Sequence, residues 1–234
     1  MPMSSLNQII DCSILSIDKI NNSVKELISH NVKNVILKNA AKQENLLEGL
    51  AGNIKIEVFG NTGPFFANSI NGPKITVNGD IANNSANDIK QGKITVFGSC
   101  GDNFGNNALS GEFYIFDNCG GNCFSNLTDS SNIVIGGQAG KNLGACINGS
   151  KIIILNLKGG TVFLDEGLKW FEGSKSNSIF IRGDINIKTS SFLLSKANEQ
   201  DEDSYLPLIS EFARLFKYSL SMIKSKPFYK VVLK

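Results

Sequence analysis

The sequence has little charge of either sign, and no long apolar run. Its 234 residues carry 23 lysines and arginines against 21 aspartates and glutamates, with the two signs interspersed and a formal net charge of +2. This balance gives no electrostatic reason to expect nucleic acid or an anionic membrane as a partner. No apolar run approaches the roughly 20 residues of a membrane span, and the N-terminus has no basic segment followed by an apolar one. We therefore expect a cytoplasmic protein.

The most abundant feature is a repeat with a period of about 19 residues. Each copy has an apolar anchor residue followed two positions later by a second β-branched residue, and short runs of this kind predict a solenoid whose coils stack on one another. A period this short predicts a single-stranded right-handed parallel β-helix of about seven coils. The anchors are Ile56, Ile75, Ile94, Phe113, Ile133 and Ile152, and Ile179 repeats the pattern after an insertion.

Alternation within a coil indicates which residues face inward. Besides the anchors, two further apolar columns are expected inside, ten and fourteen residues after each anchor. They comprise Phe66, Ser85, Phe104, Cys123 and Leu143, and then Ile70, Ile89, Ala108, Leu127 and Ile147.

Glycine and asparagine recur between the strands, where the coil must change direction. We interpret the glycines as turn residues chosen for positive φ: Gly60, Gly63, Gly79, Gly98, Gly101, Gly120, Gly137 and Gly140. The asparagines of one column have two equally weighted interpretations: hydrogen bonding from coil to coil, or tolerance of left-handed geometry. They are Asn84, Asn103, Asn122 and Asn142.

The flanking segments depart from the repeat and suggest three regions: a helix-strand lead-in over 1–50, the β-helix over 51–190, and a C-terminal part over 191–234. In the first, a helix capped by Asp18 runs to about Ser29, and a strand spans Val32 to Leu37. An insertion containing Trp170 falls within 157–177. We expect a polar linker over 195–204, an amphipathic helix from Leu206 to Ile223, and a short extended tail.

Candidate catalytic and metal-binding residues are few. Cys100 and Cys119 occupy the register position of Ala139, which predicts that they are small core residues in adjacent coils, without metal. The lone histidine, His30, ends the predicted helix, where a cation suits the helix dipole. Carboxylates within the coils share no column. We expect no catalytic site, cofactor or metal.

Outward-facing residues become apolar in the later coils. Contiguous apolar patches of this kind usually indicate that something covers them. We predict that the C-terminal helix folds back over this surface, with Leu208, Phe212, Phe216 and Leu220 facing it. In the alternative, a protein partner or second copy covers the surface and the helix caps the open end of the stack. The patch, a candidate docking surface, consists of Phe97, Tyr114, Phe116, Val134, Ile153 and Leu155.

The repeat resembles the GXGXG domain, the C-terminal β-helix of the glutamate synthase large subunit, which some organisms encode as a separate chain. The resemblance rests on Val58–Gly63, Asn71–Val77, Gly92–Gly98 and Ile133–Gly144. Val35–Asn39 with Glu48–Leu50 resembles the lead-in segment of the family, and Phe228–Val232 resembles its tail. It also extends to the C subunit of formylmethanofuran dehydrogenase.

In the glutamate synthase family, glutaminase and FMN/iron-sulfur synthase activities lie in other domains, and the β-helix packs between them. The resemblance therefore implies a non-catalytic scaffold for protein partner subunits. A homo-oligomeric structural protein and an enzyme with a site on the flank of the β-helix are the rival interpretations.

Overall fold

The computed structural model describes residues 7–40, 43–160, 162, 177–183, 185 and 192–233. They form a parallel β-helix of about six turns, close to the seven expected. Its main sheet contains parallel strands in chain order: β1 (Gln8–Asp11), β2 (Asn34–Lys38), β3 (Lys55–Phe59), β4 (Asn71–Asn78), β5 (Gln91–Val96), β6 (Gly111–Ile115), β7 (Ser131–Ile135), β8 (Lys151–Ile154) and β9 (Ser178–Arg182).

The strand register confirms the predicted columns. Ile56 pairs with Ile75, and the same column continues through all the later anchors to Ile179. Every anchor and every member of the two other predicted inward columns is buried. The core is therefore one continuous stack of aliphatic and aromatic side chains along the solenoid axis, as the sequence predicts.

A second side of the solenoid is also held by backbone hydrogen bonds between coils, although its residues do not form β-strands. Nine, eleven and thirteen residues after the anchors from Ile56 to Ile133 the backbone is left-handed, as at Asn84, Ala86 and Asp88. The N–H groups of successive left-handed residues point alternately to the next and the previous coil. Asn84 N donates to Asp102 O in the next coil (2.8 Å), and Ala86 N donates to Phe66 O in the previous coil (2.7 Å). Asparagine is common here because it tolerates positive φ.

Both interpretations of the asparagine column are confirmed. All four members have positive φ, and their side chains also bond between coils. Asn103 Nδ2 donates to Asn84 Oδ1 at 3.0 Å, and Asn142 Nδ2 donates to Asn122 Oδ1 at 2.9 Å.

A second polar column, five residues after the anchors from Ile56 to Ile133, was missed in the sequence although its periodicity is visible. Four of its side chains accept a hydrogen bond from the backbone N–H of the next coil, which satisfies a donor that the corner would leave unpaired. These are Asn61, Asp80, Ser99 and Asn118. The fifth, Gln138, instead donates through Nε2 to Asn156 Oδ1 and Gly159 O.

The reason proposed for the repeat glycines is largely wrong. Of the eight, Gly60 alone has a positive φ, whereas the others that can be assessed are required by close contact between coils. A Cβ at Gly79 would lie 2.6 Å from the carbonyl oxygen of Gly60, and one at Gly140 would lie 2.6 Å from the backbone nitrogen of Gly121. Gly98, Gly101, Gly120 and Gly137 are equally crowded, and Gly63 is buried.

The N-terminal lead-in is part of the same sheet. Helix α1 (Ile17–Ser29) follows β1 and buries Ile20 and Val24. Its N-cap is Ser16, so Asp18 lies in the first turn and does not cap the helix as predicted. Strand β2 confirms the predicted strand, with bounds of Asn34–Lys38, whereas β1 had no sequence prediction.

The C-terminal region differs from the prediction in its boundaries. Residues 195–204 are not a linker, because β10 (Phe192–Lys196) is followed by α2 (Glu199–Phe216). A capping box starts this helix: Asp201 N donates to Asn198 Oδ1 (2.9 Å) and Asn198 N to Asp201 Oδ2 (3.2 Å). The Asn-x-x-Asp spacing is the sequence signal that would have placed this start.

The predicted single helix is interrupted. Lys217 adopts a left-handed conformation that ends α2, and α3 (Leu220–Lys224) begins after the N-cap Ser219. The tail forms β11 (Phe228–Leu233), which lies antiparallel between β9 and β10. Most of the predicted insertion, including Trp170, lies outside the described residues.

Candidate functional site

The apolar patch of the later coils is covered by the chain's own C-terminal helix. Tyr114, Val134, Ile153 and Leu155 are buried in one cluster with residues of α2, α3 and β11. The fold-back that the amphipathic pattern predicts is confirmed. The candidate docking surface is thus occupied within the chain, and only Phe97 at its border stays 42% exposed.

Aromatic contacts define how α2 lies on the patch. The ring of Phe116 is stacked with that of Phe212, with centroids 6.4 Å apart, and lies 5.2 Å from that of Phe216. Four side chains of α2 bury their large apolar surfaces here: Tyr205, Ile209, Phe212 and Phe216. Phe212 and Phe216 confirm the prediction, but Leu208 and Leu220 are only partly buried at its margin.

A buried arginine fixes the segment after α2. Arg182, 6% exposed at the end of β9, donates through Nε to Ile223 O (2.6 Å) and through a terminal nitrogen to Met222 O (2.9 Å). The other terminal nitrogen donates to Leu155 O (3.2 Å). Burial lowers the pKa of this guanidinium. The arginine therefore ties the last carbonyl groups of α3 to the solenoid.

A cleft of about 590 Å³ lies where α2 diverges from the first coils. Outward residues of β2–β5 form its floor, and the C-terminal half of α2 forms one wall with Glu211, Arg214 and Leu215. The volume lies within the range typical of small-molecule sites, about 300–1,000 Å³. No residue of this cleft was predicted as a site.

Glu211 is the electrostatic centre of the helical wall. Arg214 donates to both of its oxygens (2.7 and 2.8 Å), and Lys93 Nζ lies 2.6 Å from Oε1. The hydrogen bonds from Arg214, supported by Lys93, lower the pKa of Glu211 to about 2. The carboxylate is therefore ionised at neutral pH and is unsuited to general acid–base catalysis.

Three cysteines form a buried thiol chain. Cys100 and Cys119 form a β-bridge between adjacent coils, as predicted. Both side chains and that of Cys123 are buried, and none forms a disulfide. Burial raises the pKa of Cys100 and Cys119, and the hydrogen bond to Cys119, with burial, raises that of Cys123. Raised pKa values are the opposite of what a nucleophilic or metal-binding thiol requires.

The remaining candidate residues from the sequence analysis, the histidine and the carboxylates, do not form a site in the described residues. His30 is the exposed C-cap of α1. Among the residues that the structure describes, no group of three or more His, Cys, Asp or Glu side chains could hold a metal ion. No helix in the same residues is both long and apolar enough to cross a bilayer.

In comparisons with known proteins, no family model and no curated protein matches this chain.

Proposed function

We propose that this chain is a non-catalytic β-helix scaffold of the glutamate synthase type, which docks protein partner subunits through the two ends of its sheet. The proposal rests on the unpaired edges of the two outermost strands of the sheet. Within the described residues, β1 and β10 are hydrogen-bonded on one side only. Natural proteins normally protect such edges with charge, proline or a covering segment.

Both edges instead present apolar side chains to solvent. Ile9 of β1 is 57% exposed, and Leu193 of β10 is 55% exposed beside its cross-strand neighbour Val232, 39% exposed. An unpaired strand with an apolar face favours strand addition by another chain. The patch on the flank, by contrast, is already covered by α2, so the ends are the surfaces that favour a partner.

The environments of the cysteine thiols and of Glu211 favour a scaffold rather than an enzyme. The thiols with shifted pKa values lie inside the solenoid stack, where they pack as small apolar residues. Glu211 is paired with two cations and keeps its charge. The glutamate synthase assignment itself rests on the glycine-rich sequence motifs of the repeat. Their glycines allow adjacent coils to stack closely.

Reconstitution tests the proposal. The full chain is mixed with separately produced glutaminase and FMN/iron-sulfur synthase domains of a glutamate synthase, and complexes are sought by size-exclusion chromatography with light scattering. We expect a complex with at least one domain that Ile9→Lys or Leu193→Lys abolishes. Leu109→Lys is the control, since Leu109 is 47% exposed but lies away from both ends.

The outcomes separate the rival functions. Absence of any complex with either domain, under conditions where the chain is folded, contradicts the glutamate synthase assignment. Self-association that Ile9→Lys disrupts favours the homo-oligomeric structural protein, and binding to formylmethanofuran dehydrogenase subunits favours that second assignment. Ammonia release from glutamine by the chain alone, lost on mutating one cleft residue, identifies an enzyme.

A further inference from the structure

We propose that the cleft between α2 and the first coils binds the phosphate group of a small organic phosphate ester. The proposal goes beyond the scaffold function and does not depend on it. It rests on the arrangement of charge on the cleft floor, on the hydroxyl groups beside that charge and on the size of the cleft.

Parallel register places three lysines side by side on the floor. Lys55 on β3 pairs with Lys74 on β4, and Lys74 pairs with Lys93 on β5. Neighbouring strands lie about 4.8 Å apart, and like charges directly opposite one another destabilise a sheet. Three lysines in one row on neighbouring strands therefore favour a bound anion.

Among the described residues, carboxylates pair with one of the three lysines, Lys93. Lys93 Nζ lies 2.6 Å from Glu211 and 3.2 Å from Glu112, and Arg214 completes this neutral cluster. Lys55 and Lys74 form no ion pair with any residue in the described part of the chain. The remaining cleft carboxylate, Glu57, accepts a hydrogen bond from Asn78 Nδ2 at 3.0 Å. In the described part of the chain, Lys55 and Lys74 on neighbouring strands thus have no carboxylate partner.

Hydroxyl groups continue the polar floor. Thr76 and Thr95 follow Lys74 and Lys93 by two residues, so they lie on the same outward face and line the same cleft. Glu57 lies on the same floor, so Lys55 and Lys74 exceed it by one positive charge. Two ammonium groups and two hydroxyls nevertheless supply enough donors for the three terminal oxygens of a phosphate, more than the two oxygens of a carboxylate need. Lysine is a common phosphate ligand.

The cleft is larger than phosphate alone requires. Its volume of about 590 Å³ leaves space beside the lysines, and Ile36 and Leu215 supply apolar surface there. An ester with an organic group next to the phosphate therefore fits better than the inorganic ion.

Binding to the full-length chain is measured by isothermal titration calorimetry with three probes: phenyl phosphate, inorganic phosphate and benzoate, at equal ionic strength. We expect phenyl phosphate to bind, and Lys74→Met or Lys55→Met to weaken it about tenfold, since each removes a charged hydrogen bond. Lys90→Met is the matched control, because Lys90 is exposed and outside the cleft. It should bind like the wild type.

The comparison of probes identifies the ligand chemistry. Tighter binding of phenyl phosphate than of inorganic phosphate supports an ester, and equal or weaker binding overturns the ester. Benzoate binding as tight as phenyl phosphate overturns the phosphate assignment. Absence of binding by all three, or equal affinity in Lys74→Met and wild type, overturns the site.

Thermal unfolding without ligand separates loss of binding from loss of folding. Lys74→Met should melt at the same temperature as the wild type or higher, because it relieves repulsion between adjacent lysines. If Lys74→Met does not fold, Lys55→Met and Lys74→Gln provide the same test.

Discussion

The ring of Phe97, on the flank of the solenoid, meets the ring of Phe216 in α2 edge to face, with centroids 4.9 Å apart and planes inclined by 72°. These residues are separated by more than half of the chain, and their contact marks the border of the surface that α2 covers. Edge-to-face pairs add about 0.5–1.5 kcal/mol beyond the area that they bury. The C-terminal helix is thus an integral layer of the fold.

Removing one ring from this layer should strongly destabilise the protein. Phe212 is fully buried against Phe116 and Phe216, so Phe212→Ala should lower the free energy of unfolding by about 3 to 5 kcal/mol. Denaturant titration followed by circular dichroism measures it. Met222→Ala, at a side chain 58% exposed, is the control and should change stability by less than about 0.5 kcal/mol. Equal effects of the two substitutions contradict the fold-back.

Adjacent glycines should respond very differently to alanine. A Cβ at Gly120 would lie 2.6 Å from the backbone carbon of Gly101, whereas one at Gly121 meets nothing closer than 3.7 Å. Gly120→Ala should therefore force two coils apart and cost about 1 to 3 kcal/mol. Gly121→Ala should lie within about 0.5 kcal/mol of the wild type. Similar melting temperatures for both variants would show that coil spacing does not require Gly120.

Alkylation should distinguish the cysteines of the folded protein. Thiolates react with iodoacetamide, and burial raises the pKa of Cys12 to about 11 and raises those of Cys100 and Cys119. At pH 8 we expect mass spectrometry to find modification of the partly exposed Cys146 alone, and of all five cysteines after unfolding in denaturant. Rapid native labelling of Cys119 would contradict its place in the core.

The charge of Glu211 should make stability depend on pH in the acid range. Because the pKa of Glu211 is lowered from 4.5 to about 2, its contribution is present above pH 4.5 and is lost as pH falls towards 2. At pH 7 we expect Glu211→Gln to cost about 1 kcal/mol, a value reduced for solvent screening. The difference from the wild type should vanish near pH 2.

A matched substitution checks this pH dependence. Glu48→Gln changes an exposed carboxylate outside the cleft and, as a surface substitution, should change stability by less than about 0.5 kcal/mol. A Glu211→Gln difference that is constant from pH 7 to pH 2 would show that the ion pairs with Lys93 and Arg214 do not stabilise the fold.

The sequence by itself determined the solenoid, its register and its core. Each coil repeats the same local pattern, and stacking brings equivalent positions together, so the period alone places Ile56 beside Ile75 and Cys100 beside Cys119. The amphipathic spacing of Phe212 and Phe216, with the apolar flank, was also sufficient to predict their contact. These are nearest-neighbour or single-face relationships, which periodicity encodes directly.

Tertiary structure decided the features that depend on distance between backbones or on charge. Glycine at position 79 is needed because the carbonyl of Gly60 lies close behind it, a steric fact invisible in the pattern. Strand β10 pairs with β11 across α2 and α3, so its local sequence carried little signal. The cleft depends on α2, which forms one of its walls and brings Glu211 to Lys93. Within the described residues Lys55 and Lys74 gain no such partner, because ion pairing between distant segments depends on how those segments pack.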